Sequence, residues 1–319
     1  MIEYRRFRNS DPPHIRRLWR EAGLGRGAAT DLDADSLETV VFAQPYFDRE
    51  GMILAVDGNN VVGFIHAGFG PAADEQSLSK DDGTIHAVIV AASHRRQGIG
   101  RELVRLAEEY LQSRGTKSLF AGPAAPRDAF YFGIYGGSQP AGFLESDPLA
   151  KPFFTAVGYA PHQRRLIYQR ALEEKGDPVG LRLMSVRRTT KLGSPPAASP
   201  LSWWSQTRMG RLDSLTLSLL PKSGGEPLAE VMVVGLDHYM ASWRQRAIGL
   251  LDLHVPEANR RKGYAQALLV EVCRRVKTDL ITLVESHVDE GNEAGIKTLK
   301  SAGFQPVDAG VVYRRPTSP

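Results

Sequence analysis

An internal repeat constrains the fold of this chain more than any other feature of its sequence. Residues 85–104 (IHAVIVAASHRRQGIGRELV) and 250–269 (LLDLHVPEANRRKGYAQALL) share one pattern: a strand, a short loop, Arg-Arg-x-Gly-x-small, and a helix. Gly98 in the first segment aligns with Gly263 in the second. A duplicated pattern of this kind indicates a duplicated structural unit. The chain has 319 residues, which is enough for two domains of ordinary size.

The sequence predicts one domain over residues 1–173 and a second over 174–319. The junction is placed near Glu174, where charged residues, a glycine and a proline interrupt a strand-like stretch. The first copy is longer between its glycine loop and its closing Gly-Tyr pair, and we assign the extra residues to an aromatic insertion within 121–147. The second domain is expected to have a shortened front half, with a Pro-rich loop at 193–200.

The order of predicted elements indicates an α/β fold with a mixed sheet. The first half reads β-α-α-β-β-β-α-β-α-β, with a strong hairpin turn, Asp-Gly-Asn-Asn, at 57–60. The second half repeats this order with a shorter front. There, Trp203 and Trp204 are expected on the single short front helix of the second domain.

Composition and charge exclude several classes of protein. The net charge is only +4, and the sequence lacks the long basic run interleaved with aromatic residues that would indicate nucleic-acid binding. The single cysteine, Cys273, allows no intramolecular disulfide and no cysteine-based metal site. No apolar run approaches the ~20 residues that cross a bilayer, and the N-terminus is unlike a signal peptide. We therefore expect a cytoplasmic protein with no membrane, metal or nucleic-acid partner.

The repeated loop has the chemistry of a phosphate site. In Arg-Arg-Gln-Gly-Ile-Gly, residues 95–100, the glycines allow a tight turn between a strand and a helix. The amides of this turn and of the first helical turn have no partner within the helix, so they form an anion cradle at the positive end of the helix dipole. A nucleotide-triphosphate loop would need Lys-Ser or Lys-Thr after the glycines, and a dinucleotide loop would need Gly-x-Gly-x-x-Gly. Neither sequence is present.

The two hexapeptides resemble the Arg/Gln-x-x-Gly-x-Gly/Ala signature of the GNAT superfamily of acyltransferases. Residues 2–11 resemble the first strand and helix cap of that superfamily, and residues 156–159 and 301–304 resemble the end of its last conserved helix. The resemblance covers nearly the whole chain, more loosely over 180–245. The two-copy layout is similar to that of mycothiol synthase, although no residue pattern implies the same substrate.

The resemblance implies two tandem GNAT domains that pack in cis, and acetyl-CoA or another acyl-CoA as co-substrate, bound where the fourth and fifth strands splay. The backbone of strand four would bind the pantetheine arm, and the loop amides would hold the pyrophosphate. In the first copy the implied CoA-binding residues are Val88, Val90, Arg95, Arg96, Gln97, Gly98, Ile99, Gly100 and Arg101. In the second copy they are Leu253, Val255, Arg260, Arg261, Lys262, Gly263, Tyr264, Ala265 and Asn292.

The catalytic residues depart from the family pattern. The tyrosine that usually protonates the leaving thiolate is replaced by Phe154 in the first copy and by Leu299 in the second. The glutamate that often precedes the first signature glycine by about 14 residues is replaced by Thr84 and by Gly249. In the second copy, Asp252 and His254 alternate onto one strand face, either as an acid–base pair or as a structural pair.

The candidate catalytic residues are therefore substitutes for the usual pair. His86 is a candidate base acting through water, with a strand histidine in a satisfied hydrogen bond as the alternative. Tyr131 and Tyr135, in the aromatic stretch 129–143, are candidate acids, unless that stretch only packs against the second domain. The leading hypothesis is an N-acyltransferase acting on a primary amine of a small molecule or peptide. The alternative is a non-catalytic acyl-CoA-binding or scaffold protein, and the sequence leaves the oligomeric state open.

Overall fold

The computed structural model describes residues 1–172, 176–194, 202–209 and 212–316. The predicted junction near Glu174, and all but the first two residues of the Pro-rich loop at 193–200, lie outside the described residues. In chain order, the elements up to the middle of the chain are β1 (Ile2–Arg6), α1 (Pro12–Glu21), α2 (Ala34–Leu37), β2 (Met52–Asp57), β3 (Asn60–Pro71), β4 (Leu78–Val90), α3 (Ile99–Ser113), β5 (Ser118–Ala121), β6 (Phe143–Leu144), α4 (Ala150–Ala156) and β7 (Ala160–Ala171).

The second half has the remaining elements. They are α5 (Leu181–Thr189), β8 (Thr190–Gly193), α6 (Trp203–Arg208), β9 (Ser214–Pro221), β10 (Ala229–Gly235), α7 (Met240–Trp243), β11 (Ala247–His254), α8 (Tyr264–Thr278), β12 (Leu283–Asp289), α9 (Glu293–Ser301) and β13 (Gln305–Arg314). Single 3₁₀ turns lie at Arg49–Gly51, Ala92–His94, Asp237–Tyr239 and Glu257–Asn259, and a π-helical turn at Glu38–Phe42. None of the helices in the described part of the chain is long and apolar enough to span a membrane.

The described residues form two compact units. Unit 1 comprises residues 1–164, 202–209 and 309–316, and unit 2 comprises 165–172, 176–194 and 212–308. Each unit thus draws its last strand from the other half of the sequence.

The two units have the same sheet topology. In unit 1 the strand order is β1-β2-β3-β4-β5-β13, and in unit 2 it is β8-β9-β10-β11-β12-β7. In both, the first three pairings are antiparallel, the fourth is parallel and the fifth is antiparallel. The predicted mixed α/β fold in two tandem copies is confirmed.

The helix that follows each glycine loop packs on one face of its sheet. In α3 the buried residues recur three or four positions apart, as expected for an amphipathic helix. They are Ile99, Leu103, Val104, Ala107, Tyr110 and Leu111. In α8, Cys273 lies in the corresponding core, where burial raises the pKa of its thiol to about 12. This fits the expected packing role of the cysteine.

Strand β4 has a β-bulge at His86, one of the candidate catalytic residues. His66 pairs with Ala87 and Ala67 pairs with Ile85, so His86 is left between two pairs. A bulge re-aims the side chain of the extra residue and is often found beside active sites. His86 therefore projects on the face of the sheet that also carries His66.

The prediction for Trp203 and Trp204 was right about the helix and wrong about its unit. Both residues lie on α6, but α6 belongs to unit 1, not to the second domain. The physical reason is burial: the Trp204 side chain is 2% exposed and its ring centroid lies 5.0 Å from that of Tyr46. In unit 2 the front helix is α5 instead.

Candidate functional site

A cavity of about 470 Å³ lies in unit 1 beside the C-terminal half of β4. Strands β4 and β5 pair only as far as Ile85 and Ala121. Beyond this point β4 stays paired with β3 but no longer with β5, and its residues Ala87, Val88, Ile89 and Val90 line the cavity. The cavity therefore opens where the two parallel strands separate, which is the place where the family resemblance implies an acyl-CoA cleft.

The glycine loop forms one end of this cavity. Gly98 has a φ of 84°, in the left-handed region, and helix α3 begins at the next residue. An ideal Cβ at Gly98 would meet no atom within 4 Å, so the backbone here is open to a ligand. At Gly100 a side chain is excluded by steric contact, because a Cβ there would lie 2.9 Å from Cε2 of Phe153 on α4. The first amides of α3 thus face the cavity with little side chain in the way.

The charged residues of the loop divide into two kinds. Arg95 is fixed to the backbone: its Nε donates to the Val90 carbonyl and its Nη2 to the Ala22 carbonyl, both at 2.9 Å. Arg96 and Arg101 are exposed and line the cavity, so their guanidinium groups face the region where a phosphate would bind. Arg95 is predicted from the sequence to bind CoA, but these two hydrogen bonds hold its guanidinium group against the backbone, where it mainly shapes the loop.

The other two loop residues contribute less through their side chains. Gln97 is exposed, and its amide Nε2 donates to the carbonyl of Ser93 at 3.2 Å. Ile99 is buried in the core under α3, which leaves only its backbone to contact a ligand.

The second copy repeats the loop geometry closely. Arg261 and Gly263 have φ angles of 61° and 88°, matching 63° at Arg96 and 84° at Gly98. Arg260 donates from Nε to the Val255 carbonyl at 3.3 Å, as Arg95 does in the first copy. One difference is Arg182 of α5, whose Nε would lie 3.1 Å from a Cβ at Gly263.

The other residues predicted for the second cleft lie around this loop. Lys262 is exposed at the turn, Tyr264 and Ala265 open α8, and Leu253 lies half-buried on β11. Asn292 caps α9, because its side chain accepts a hydrogen bond from the Gly295 amide at 2.9 Å. Asp252 and His254 are both exposed, and Asp252 has a φ of 52° where the pairing of β10 with β11 is irregular. This irregularity breaks the simple alternation on which their predicted common face depended.

The three catalytic candidates of the first copy all line the same cavity. His86, Tyr131 and Tyr135 lie on its wall together with Trp19 of α1. The hydroxyl of Tyr131 lies 3.1 Å from Nδ1 of His66, and the hydroxyl of Tyr135 accepts a hydrogen bond from the Leu144 amide at 3.2 Å. The structure therefore brings His86 to the same cavity as Tyr131 and Tyr135, which follow it in the sequence by 45 and 49 positions.

The aromatic insertion is a buried part of unit 1. Residues 128–144 are buried except for Gln139, which is partly exposed. Backbone hydrogen bonds tie this segment to the loop after α1, from Ala29 to the Ile134 carbonyl at 2.9 Å and from Gly136 to the Gly27 carbonyl at 2.8 Å. Its aromatic side chains thereby form a fixed wall of the cavity.

Burial controls the protonation of the groups at this end. It lowers the pKa of His86 to about 3 and that of His66 well below its usual value, in the latter case with help from the neighbouring His86. Burial also raises the pKa of Tyr131. Both imidazoles are therefore neutral near pH 7, and Tyr131 keeps its proton and can act as a donor.

Sequence reasoning missed several residues of both copies. His66 and Trp19 lie far from any motif, and only the fold brings Trp19 to the cavity wall and His66 next to His86. In unit 2, Glu285 pairs in register with Gly249, the position of the usual glutamate. Its carboxylate accepts hydrogen bonds from Gln169 at 2.6 Å and lies 3.1 Å from His287. A strand-pairing argument could have found Glu285, because adjacent parallel strands align their residues. Among the described residues, no group of three or more metal-ligating side chains could hold a metal.

Comparison with known proteins agrees with this geometry. Residues 18–134 match the sequence model of the acetyltransferase (GNAT) family. A search of curated proteins finds no match. A GCN5-related N-acetyltransferase from Sphaerobacter thermophilus has 17% sequence identity and a TM-score of 0.64, with 99% of this chain and 97% of that chain covered.

Two further solved structures share the fold. The tandem GNAT protein from the clavulanic acid biosynthesis pathway has 16% identity and a TM-score of 0.66, with both chains covered completely. The glucosamine N-acetyltransferase region of a fungal multi-domain GH3 β-N-acetylglucosaminidase has 16% identity and a TM-score of 0.70, with 98% of this chain and 38% of that chain covered. At these identities the likeness shows a common tandem fold.

Proposed function

We propose that this chain, which carries a GNAT acetyltransferase domain in a tandem GNAT fold, transfers an acetyl group from acetyl-CoA to a primary amine. The observation that carries the proposal is the cavity of unit 1, which connects the glycine loop at Gly98 to His86 and Tyr131. One end of it suits a pyrophosphate and the other holds polar groups suited to acyl transfer.

The cavity suggests how acetyl-CoA would bind. The amides of residues 96–101 and the guanidinium groups of Arg96 and Arg101 would hold the pyrophosphate. The backbone of Val88 and the amide of Val90, beyond the point where β4 pairs with β5, would bind the pantetheine arm. The thioester would then lie near His86 and Tyr131, inside an aromatic wall that excludes water.

The reaction would follow from this placement. The amine nitrogen attacks the thioester carbonyl carbon, and the resulting oxyanion collapses with cleavage of the C–S bond. The proton lost by the nitrogen passes to His86, and the leaving sulfur takes a proton from Tyr131. Burial lowers the pKa of His86, so its imidazole is unprotonated near neutral pH and has a lone pair that can accept this proton.

A turnover assay tests the proposal. Purified full-length protein is incubated with acetyl-CoA and a panel of amines, with CoA thiol release and acetylated product both measured. Product that appears with the wild-type protein and is lost in Gly98→Asp supports the proposal. Acetyl-CoA binding without product for any acceptor, and without thioester hydrolysis, would contradict it and favour the binding-only alternative.

A further inference from the structure

The inner end of the unit 1 cavity contains buried polar atoms with no partner. His86 is 2% exposed, lies on the cavity wall, and has no hydrogen-bond partner at Nδ1 or Nε2 among the described residues. The ring centroid of His66 lies 5.6 Å from that of His86. Nε2 of His66 is also buried and has no hydrogen-bond partner among the described residues. Because buried polar atoms are nearly always hydrogen-bonded, such atoms beside a cavity indicate where a polar group of a ligand binds.

Thr84 is fully buried and is not part of the cavity lining, but it lies beside His86 on the same face of the sheet. Thr84 pairs in register with Gly68, and a Cβ at Gly68 would lie 3.1 Å from Cε2 of Phe130 and 3.4 Å from Nε2 of His86. Directly paired residues project to the same face of a sheet, so the Thr84 side chain lies on the face of His86. Its hydroxyl is buried and also has no partner among the described residues.

This end of the cavity has no carboxylate within the described part of the lining. Asp147 is the one acidic residue of the whole lining, and it belongs to the region of the glycine loop: its Oδ1 accepts from the Leu149 amide at 2.9 Å, and Arg95 is the charge that acts on it. The position where related enzymes often carry a glutamate is Thr84. An ammonium group buried here would therefore lack an anion, which is a large free-energy cost.

Aromatic faces do not replace the missing anion. Trp19 and Tyr131 are stacked on each other, with ring centroids 5.3 Å apart and planes inclined by 12°. The faces turned toward each other are unavailable for a cation. The rings instead offer apolar contact to a flat, uncharged molecule.

We propose that this end of the cavity is an acceptor subsite for an uncharged nucleophile, specifically a weakly basic primary amine of the arylamine class. The proposal rests on the acyltransferase function above and narrows its acceptor. His86 binds the amino group through an unpartnered ring nitrogen, and Trp19 packs against the ring. The neutral nitrogen attacks the thioester carbon, gives its surplus proton to His86, and releases CoA when the C–S bond breaks.

Three acceptors matched in shape test the subsite. Aniline is uncharged at neutral pH, benzylamine is protonated, and benzyl alcohol is an uncharged oxygen nucleophile. With full-length protein and saturating acetyl-CoA, kcat/KM for aniline is expected to exceed that for benzylamine by at least about tenfold, the equivalent of ~1.4 kcal/mol. A preference for benzylamine would overturn the uncharged subsite, and a preference for benzyl alcohol would overturn its amine class.

The same assay separates this proposal from the general one. Thioester hydrolysis without acetylated aniline overturns the subsite and leaves acyl-CoA chemistry in place. Absence of product with these three acceptors, while another amine of the panel is acetylated, overturns the subsite alone. Absence of hydrolysis and of product with every amine of the panel overturns the acyltransferase function, and the subsite with it.

A carboxylate placed beside His86, at a position that does not itself line the cavity, provides a second test. Thr84→Asp should shift the ratio of kcat/KM values toward benzylamine by at least about tenfold, because the ammonium then has a partner. Thr84→Val has nearly the same shape without a charge and should keep the wild-type order of preference. Acetyl-CoA titration of each variant verifies that the fold persists. An unchanged ratio in a Thr84→Asp protein that binds acetyl-CoA would contradict the proposal.

Discussion

Arg208 and Asp128 form an ion pair across 80 positions of sequence, with Nη1 of the arginine 2.6 Å from Oδ2 of the aspartate. The Asp128 side chain is fully buried and that of Arg208 is 11% exposed. Arg208 also lies over the Phe132 ring, 5.3 Å from its centroid. Helix α6 is thereby attached to the start of the aromatic insertion that forms the cavity wall.

Removing this arginine should destabilise the protein strongly. Arg208→Met leaves a buried carboxylate without its cation, and breaking a buried pair in this way costs about 3–5 kcal/mol. Urea denaturation of the full chain measures the loss. Lys297→Met serves as the control, because its ion pair with Glu293 is exposed and should contribute little. Equal small effects of the two substitutions would contradict the attachment of α6 to unit 1.

A fragment of residues 1–172 should not fold into a stable unit 1. It lacks Trp204 and Tyr313, each 2% exposed, and it lacks the strand that pairs with β5. Loss of these two buried side chains alone should lower the free energy of unfolding by several kcal/mol, because a large-to-small change at one buried aromatic residue costs about 3–5 kcal/mol. Circular dichroism and hydrogen exchange of the fragment check this. Cooperative unfolding at the temperature of the full chain would contradict the described composition of unit 1.

The protein should become less stable as the pH is lowered, because His86 is buried in its neutral form. Its pKa is about 3 in the folded protein and 6.5 when exposed, so between these values the unfolded state binds a proton that the folded state does not. The free energy of unfolding then decreases as pH falls, by about 1.4 kcal/mol per pH unit from this group. Urea titrations from pH 6 to 4 should show a shallower slope for His86→Gln than for wild type. Identical slopes would contradict a neutral buried His86.

The two tyrosines on the cavity wall should differ in their effect on turnover. Tyr131→Phe removes the proposed proton donor and leaves Nδ1 of His66 without its partner. Its kcat is expected to fall by about 10²-fold or more, within the usual range for a general acid. Tyr135→Phe serves as the matched control, since its oxygen already accepts from the Leu144 amide and it should mainly affect packing. Acetyl-CoA affinity should be nearly unchanged in both. Equal kcat values for the two variants would argue against Tyr131 as the acid.

Local sequence rules predicted the parts of the site that depend on neighbouring residues. The glycine loop was identified because a left-handed residue before a helix and an anion cradle both require glycine at Gly98. The hairpin at 57–60 and the order of strands followed from turn residues and alternation. Each of these features depends on a few consecutive residues, so it can be predicted from a short segment of the sequence.

The features that depend on distant contacts could not be predicted. The bulge at His86 is visible only when the register with His66 is known. The placement of α6 follows from burial of Trp204 against Tyr46, more than 150 positions away, which no local pattern encodes. The exchange of last strands likewise depends on pairing between residues such as Tyr313 and Ala121.

The most direct test of the account is calorimetric titration of acetyl-CoA into the wild-type protein and two matched variants, Gly98→Asp and Gly263→Asp. Both glycines have a left-handed φ, so the backbone strain is similar in the two variants. At Gly98 the new carboxylate would occupy the proposed pyrophosphate position of unit 1. The account predicts a loss of affinity of at least about tenfold in Gly98→Asp and near wild-type affinity in Gly263→Asp. Undiminished affinity in Gly98→Asp, with the loss confined to Gly263→Asp, would contradict the assignment of the acyl-CoA site to unit 1.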